Sequence, residues 1–203
     1  MVESTLLHGF LRSRRSIRRF RQEPVSRSIL ETILTTASFA PSAHNRQPWR
    51  YVVIMNQERK TALARSMAEE FLHDLLGDGQ EHQEAEAQVR RSVDRISDAP
   101  VVVVLCTDFS CADEYSDSER QSADALMLVQ DAALSGLQFM LAAHAEGLGT
   151  VWMCAPLFAP ETLRSTLSLP DTWEPQALIL SGYPGEEKTP RERRSLSDFA
   201  LFI

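Results

Sequence analysis

The chain is poor in several features that would each have pointed to a function. Its three cysteines, Cys106, Cys111 and Cys154, are an odd set without C-x-x-C spacing. That excludes a disulfide framework and a cysteine zinc site, and it reads as reduced cytoplasmic thiols. No continuous apolar run approaches the roughly 18 residues of a membrane-spanning helix, and the first residues lack the charged-then-apolar order of an export signal. The expectation is a cytoplasmic protein with no membrane partner. A net charge of −7 argues against general nucleic-acid binding. Gly147-Leu148-Gly149 is a lone G-x-G, and no strand–G-x-G-x-x-G–helix unit occurs, so no Rossmann site holds a dinucleotide permanently. His73 and His82 stand among carboxylates, but the spacing gives no histidine pair at i, i+4, and no metal is expected. No Ser-His-Asp or Cys-His nucleophile arrangement, repeat or low-complexity segment is present.

What the chain does have is an uneven charge distribution. Arg12, Arg14, Arg15, Arg18, Arg19 and Arg21 crowd one stretch, and Lys188, Arg191, Arg193 and Arg194 crowd another near the end. The acid lies between them, at Glu69, Glu70, Asp74, Asp78, Glu81, Glu84 and Glu86. Two arginine clusters on an acidic chain fit one small, highly charged anion held from two sides. Phosphate suits them, because the guanidinium fork matches its oxygens. The plain alternative is two solvated basic faces.

A second concentration of polar chemistry is Ala40-Pro41-Ser42-Ala43-His44-Asn45-Arg46-Gln47-Pro48-Trp49-Arg50. Pro41 and Pro48 bracket it and bias the residue before each towards extended geometry. Ser42, His44, Asn45, Arg46 and Gln47 all offer hydrogen bonds. This is more polarity than a turn requires, and it reads either as a ligand clamp or as an ordinary surface loop.

The 203 residues, 43% hydrophobic and 24% charged, are enough for one globular domain spanning 1–203. Leu6, Leu7, Phe10 and Leu11 predict an amphipathic helix over 3–15, whose carbonyl end would itself attract Arg14 and Arg15. Ser28 with Glu31 fits a capping box ahead of a helix striped by Ile29, Leu30, Ile33, Leu34 and Ala37. Tyr51–Met55 reads as a buried strand, and 57–98 as two helices interrupted at Gly77-Asp78-Gly79-Gln80. Val101–Cys106 is a central strand by its β-branched run. An acidic loop over 108–121 precedes a helix that is apolar nearly all round, from Ala125 to Leu141, expected in the core or at a subunit interface. Val151–Pro156, 160–169 and 177–182 complete the elements as strand, helix and strand. Phe199, Leu201, Phe202 and Ile203 form an apolar tail.

Arg14-Arg15-Ser16-Ile17-Arg18 and Ala40–Trp49 together resemble, in order, two flavin-binding motifs of the FMN-dependent nitroreductase superfamily. The likeness runs over nearly the whole chain. It implies an α+β fold with a mixed, mainly antiparallel sheet flanked by helices, and a homodimer with FMN in the interface. By this resemblance Arg14, Arg15 and Ser16 hold phosphate and ribityl oxygens, and Arg18 lies near flavin N1 and O2. Pro41, Ser42, Ala43 and Asn45 contact the flavin, although Ala43 lacks the hydroxyl of the second serine found in many relatives. Gln47 and Trp49 pack the loop. Met153, Cys154 and Ala155 cross the ring, where relatives usually carry glycine and a backbone N–H meets N5. Arg191 and Arg193 resemble the C-terminal phosphate clamp. The region 57–98 is where relatives shape the substrate pocket.

Within the superfamily, Asp98–Val101, Phe158–Pro160 through Leu169–Pro175 and Gly182-Tyr183 resemble most the reductase-like domain fused to the glutamate ligase of deazaflavin-coenzyme biosynthesis. The ligase half is not in this sequence. The implied activity is a flavin-dependent oxidoreductase, using NAD(P)H as transient reductant and a small nitro, quinone or ene acceptor by ping-pong kinetics. The alternatives are a reductase for a dehydro precursor of the deazaflavin coenzyme and a non-catalytic flavin- or deazaflavin-binding module. His44 is a candidate proton donor, its alternative role being loop packing.

Overall fold

The computed structural model describes residues 3–203. Four strands, β1 (Trp49–Ile54), β2 (Val101–Asp108), β3 (Gly149–Met153) and β4 (Trp173–Gly182), form one sheet in the order β1-β2-β4-β3. Every neighbouring pair is antiparallel. The parallel component of the expected mixed sheet is a single bridge, Ser16 to Thr150, on the outer edge of β3. β2 and β4 are central, and Val101 to Cys106 are wholly buried, as a continuous apolar run requires when both faces are covered.

The period-2 alternation of side chains sorts β2 between two cores. Val101 and Val103 pack with Ile33, Phe139 and Ile179, under α2 (Arg27–Ala37) and α5 (Ser118–Ala145). Val102, Val104 and Cys106 pack with Leu63, Met67, Ile96 and Leu163. Those side chains come from α3 (Gln57–Gly77), α4 (His82–Ser97) and α6 (Pro160–Leu167). The result is three layers with the sheet in the middle. Burial drives the Cys106 thiol up to about 12, so that cysteine is inert packing.

Several elements depart from the sequence reading. The cap of α2 is Ser26, whose side chain accepts from the Ile29 N–H, and Ser28 forms no box with Glu31. Val25 and Leu30 share one core, so a hydrophobic staple fixes the entry two residues earlier. α1 ends at Ser13, so Arg14 and Arg15 lie beyond its last turn. The acidic loop is shorter than expected, because α5 starts at Ser118 behind its Asp117 cap. α6 stops at Leu167 on a left-handed Ser168.

α5 was expected to be apolar all round. By length and mean hydropathy it is the one helix among the described residues that could cross a membrane. A search for continuous runs misses it because its apolar residues are interleaved with polar ones. Its inner face packs against the sheet through Leu128, Ala132 and Phe139, and that same face buries two carboxylates, Asp124 and Asp131. Gly136 lets it approach closely, since a Cβ there would fall 2.5 Å from the Trp152 ring. Its outer face leaves Leu126, Leu134 and Leu137 exposed.

Candidate functional site

Past Ser13 the chain straightens sharply, with Arg14 at φ −55° and ψ 133°. Ile17 N–H then bonds the Thr150 carbonyl at 2.9 Å, and Ile17 packs so closely on Gly149 that a Cβ there would lie 2.7 Å away. Arg15 Nη1 donates to the Arg12 and Arg14 carbonyls at 2.6 and 2.8 Å. It is thus partly the helix-end cation that the sequence allowed. The rest of the pair has no such account. Arg14 Nη1 and Arg15 Nε are buried without a hydrogen-bond partner among the described residues. Arg193, from the other end of the chain, is near enough to act on Arg14. The Arg14 guanidinium is pushed below its ordinary pKa by burial, then by Arg15, then by Arg193. Buried donors without acceptors beside like charges are costly, and an anion relieves both penalties at once. Phosphate chemistry fits this cradle.

Arg18 has an exposed side chain, and its backbone N–H donates to Glu186 Oε1 at 2.8 Å. Glu186 also accepts from Arg19 N–H and pairs with Lys188, so it ties the base of the C-terminal segment to this turn. Ser16 is half-buried at its bridge to Thr150. Arg191 is exposed.

The loop between the two prolines is bent by left-handed backbone at three non-glycine residues, His44 (φ 53°), Asn45 (φ 54°) and Gln47 (φ 50°). Such conformations persist only where surrounding contacts over-determine them. Ser42 Oγ accepts the Gln47 N–H at 3.1 Å, and Asn45 Oδ1 accepts from Gln47 Nε2 at 2.9 Å. Trp49 is buried against Ala40, Leu105 and Ala132. From below, Asp131 Oδ2 accepts the Ala43 N–H at 3.0 Å, and Asp124 Oδ1 accepts from Arg46 Nη1 at 2.7 Å. Arg46 also pairs with Asp113, whose own N–H bonds Asp124 Oδ2. Asp124 and Asp131 were missed in the sequence, yet their seven-residue spacing on one helix face was the available signal.

Met153, Cys154 and Ala155 line a cavity of about 800 Å³. Its other walls are α3 and α4, including Met67, Phe71, Val89 and Ile96, with Phe158 at one side. Trp152 Nε1 lies 3.2 Å from Cys154 Sγ, which orients an exposed thiol. The predicted residues therefore fall into three groups. Arg14 and Arg15 form the cradle, with Arg193 near enough to act on Arg14, and Met153, Cys154 and Ala155 open onto the cavity at the other end of β3. Pro41, Ser42, Ala43 and Asn45 stand apart, over the N-terminal half of α5.

The nitroreductase family profile matches residues 11–183, which include all three groups apart from the C-terminal arginines. The chain belongs to the nitroreductase family. This nitroreductase is 33% identical over 213 residues to the "NADH dehydrogenase" of Thermus thermophilus, an alignment covering 93% of this chain and 92% of that protein. Its fold is similar to that of a BluB-like flavoprotein from Clostridium difficile 630, with TM-score 0.80, 21% identity and coverage of 97% and 98% of the two chains. It is also similar to an FMN-dependent nitroreductase from Clostridium difficile R20291, with TM-score 0.70, 22% identity and coverage of 96% and 98%. Family membership and a relative named "NADH dehydrogenase" make the protein an oxidoreductase.

Proposed function

We propose that this nitroreductase binds FMN and passes reducing equivalents from NADH or NADPH to a small nitro, quinone or ene acceptor by ping-pong kinetics. What supports the cofactor assignment is the cradle, where Arg14 Nη1 and Arg15 Nε are buried without partners among the described residues and Arg193 is near enough to act on Arg14. Those three residues hold the phosphate, with Ser16 and Arg191 alongside. β3 then leads from Thr150 to Met153 at the cavity, about 10 Å by the rise of a strand. That span suits a tricyclic ring joined to its phosphate by a five-carbon chain. Bound flavin would supply the two-electron chemistry. Arg18 places a fixed cation where negative charge gathers on reduction, and Cys154 and Ala155 bring backbone to the ring. Reductant and acceptor take turns in the cavity, since the chain has no separate dinucleotide motif.

A second copy of the chain completes the site. Asp131, under the proline-bracketed loop, and His144, beside the cradle, lie about 20 Å apart along α5 by helical rise. One copy's loop therefore serves the other copy's cradle, and the exposed Leu126, Leu134 and Leu137 supply the apolar contact.

The narrower reading, reduction of a dehydro precursor in deazaflavin-coenzyme biosynthesis, has support in Phe158 and Ala159. They belong to that resemblance and line the cavity. Anaerobic addition of NADH or NADPH to the yellow protein tests the main reading. Bleaching, reversed by menadione or a nitroarene, is expected. A flavin that stays oxidised would make the protein a non-catalytic carrier.

A further inference from the structure

His144, in the last turn of α5, has no part in the sequence motifs, yet it contacts the end of α1. Its ring stacks on Phe10 with centroids 4.9 Å apart and planes at 28°. Its Nε2 lies 2.7 Å from Ser13 Oγ. Ser13 Oγ is also 2.7 Å from the Phe10 carbonyl. A hydroxyl has one proton, and a carbonyl can only accept. Ser13 therefore donates to Phe10, and the Nε2–H of His144 donates to Ser13.

The place of this bond is what gives it consequence. α1 contributes no buried residue to the core, so hydrophobic burial within this chain does little to fix where it ends. Ser13 is its last residue, and Arg14 and Arg15 follow at once. The turn is fixed downstream by Ile17 N–H on Thr150 and by Ile17 against Gly149. Upstream it is fixed by the His144–Ser13 bond and the Phe10 stack. Burial, Arg14 and Arg15 together keep the imidazole below its usual pKa, so it serves as a neutral donor and adds no third cation.

We infer that His144 is a positioning residue that acts through Ser13 to aim Arg14 and Arg15 at the flavin phosphate. The inference rests on the proposed FMN site and adds a specific prediction to it. Phosphate recognition depends on His144, and recognition of the ring does not. A ligand that carries the ring without the phosphate, riboflavin, separates the two.

The test is the dissociation constants of FMN and riboflavin for the apoprotein, measured by flavin fluorescence. The proteins compared are the natural one, Ser13→Ala, His144→Leu and His144→Gln. The natural protein should prefer FMN strongly. Ser13→Ala and His144→Leu should each weaken FMN by about tenfold, the worth of one aimed hydrogen bond, and leave riboflavin within about twofold. His144→Gln keeps an N–H donor and should restore most of the FMN preference. Ser13 is exposed, so its truncation does not threaten the fold. Equal loss of both ligands would make His144 merely structural and overturn the inference. Unchanged FMN binding, or a glutamine variant no better than leucine, would also overturn it. A natural protein that prefers FMN no more than riboflavin would instead fell the phosphate cradle itself, and the inference with it.

Discussion

The carboxylate of Asp131 accepts the backbone N–H of Ala43 at 3.0 Å, joining the buried face of α5 to the loop that holds His44, Asn45 and Gln47 in left-handed backbone. Seven residues earlier on that face Asp124 holds Arg46, and at the far end of the same helix His144 holds Ser13. α5 is thus a rod that holds the proline-bracketed loop along its first half and the end of α1 at its last turn. Because it is packed along its length against the sheet, the two segments are placed by the core and not by their own loops.

Asp131→Ala should leave the Ala43 N–H without its acceptor and cost about 1–3 kcal/mol of stability. Asp124→Ala should cost more, because it removes the acceptor of both the Arg46 guanidinium and the Asp113 N–H at once. Urea unfolding of the two variants measures both. Equal and negligible losses would show that the loop holds its shape without α5.

Arg193→Ala and Arg18→Ala should separate binding from redox tuning. The first should weaken FMN by about one to two decades, the worth of a charge-assisted hydrogen bond, and leave the potential of retained flavin nearly unchanged. The second should lower that potential and slow reduction by NADH or NADPH, because a cation near the ring favours the reduced, more negative state. Titration and potentiometry of both variants check this. No potential shift in Arg18→Ala would remove Arg18 from the ring.

His144 also predicts a pH dependence. Its pKa is depressed in the fold by burial and by Arg14 and Arg15. As pH falls through about 6.5, the unfolded chain takes up a proton that the folded apoprotein refuses. Stability should therefore fall over that window and level off below the folded pKa. His144→Gln cannot titrate, so its unfolding free energy should fall less between about pH 7.5 and 5.5. An identical slope in the two proteins would contradict the assignment.

The outer face of α5 and the tail at Phe199, Leu201, Phe202 and Ile203 leave large apolar side chains exposed. A second copy should cover them. Sedimentation should give a dimer, and Leu137→Glu should give a monomer that has lost flavin affinity. A monomer that binds FMN normally would break the link between assembly and site.

The sheet and the helical pair at 57–98 were legible because their signals are local. Val101–Cys106 is a β-branched run, and Gly77 to Gln80 interrupts one amphipathic pattern before another begins. The sequence allowed Arg15 two roles, a helix-end cation and an anion ligand, and in the structure Nη1 caps the end of α1 while Nε lacks a partner among the described residues. The supports were not legible. Asp131, Asp124 and His144 act on residues 88, 78 and 131 positions away, and nothing in the local sequence of α5 names those partners. The shift of the α2 cap from Ser28 to Ser26 has the same cause, because both serines fit the pattern and the burial of Val25 chooses between them.

The proposed function stands or falls with the anion site at Arg14 and Arg15. Its most direct test is mass spectrometry of the small molecule released when the purified protein is denatured. FMN, at about one per chain, is the predicted result, because the buried, unpartnered donors of Arg14 and Arg15 suit a terminal phosphate. FAD, or a colourless protein that takes up no added FMN, would contradict it.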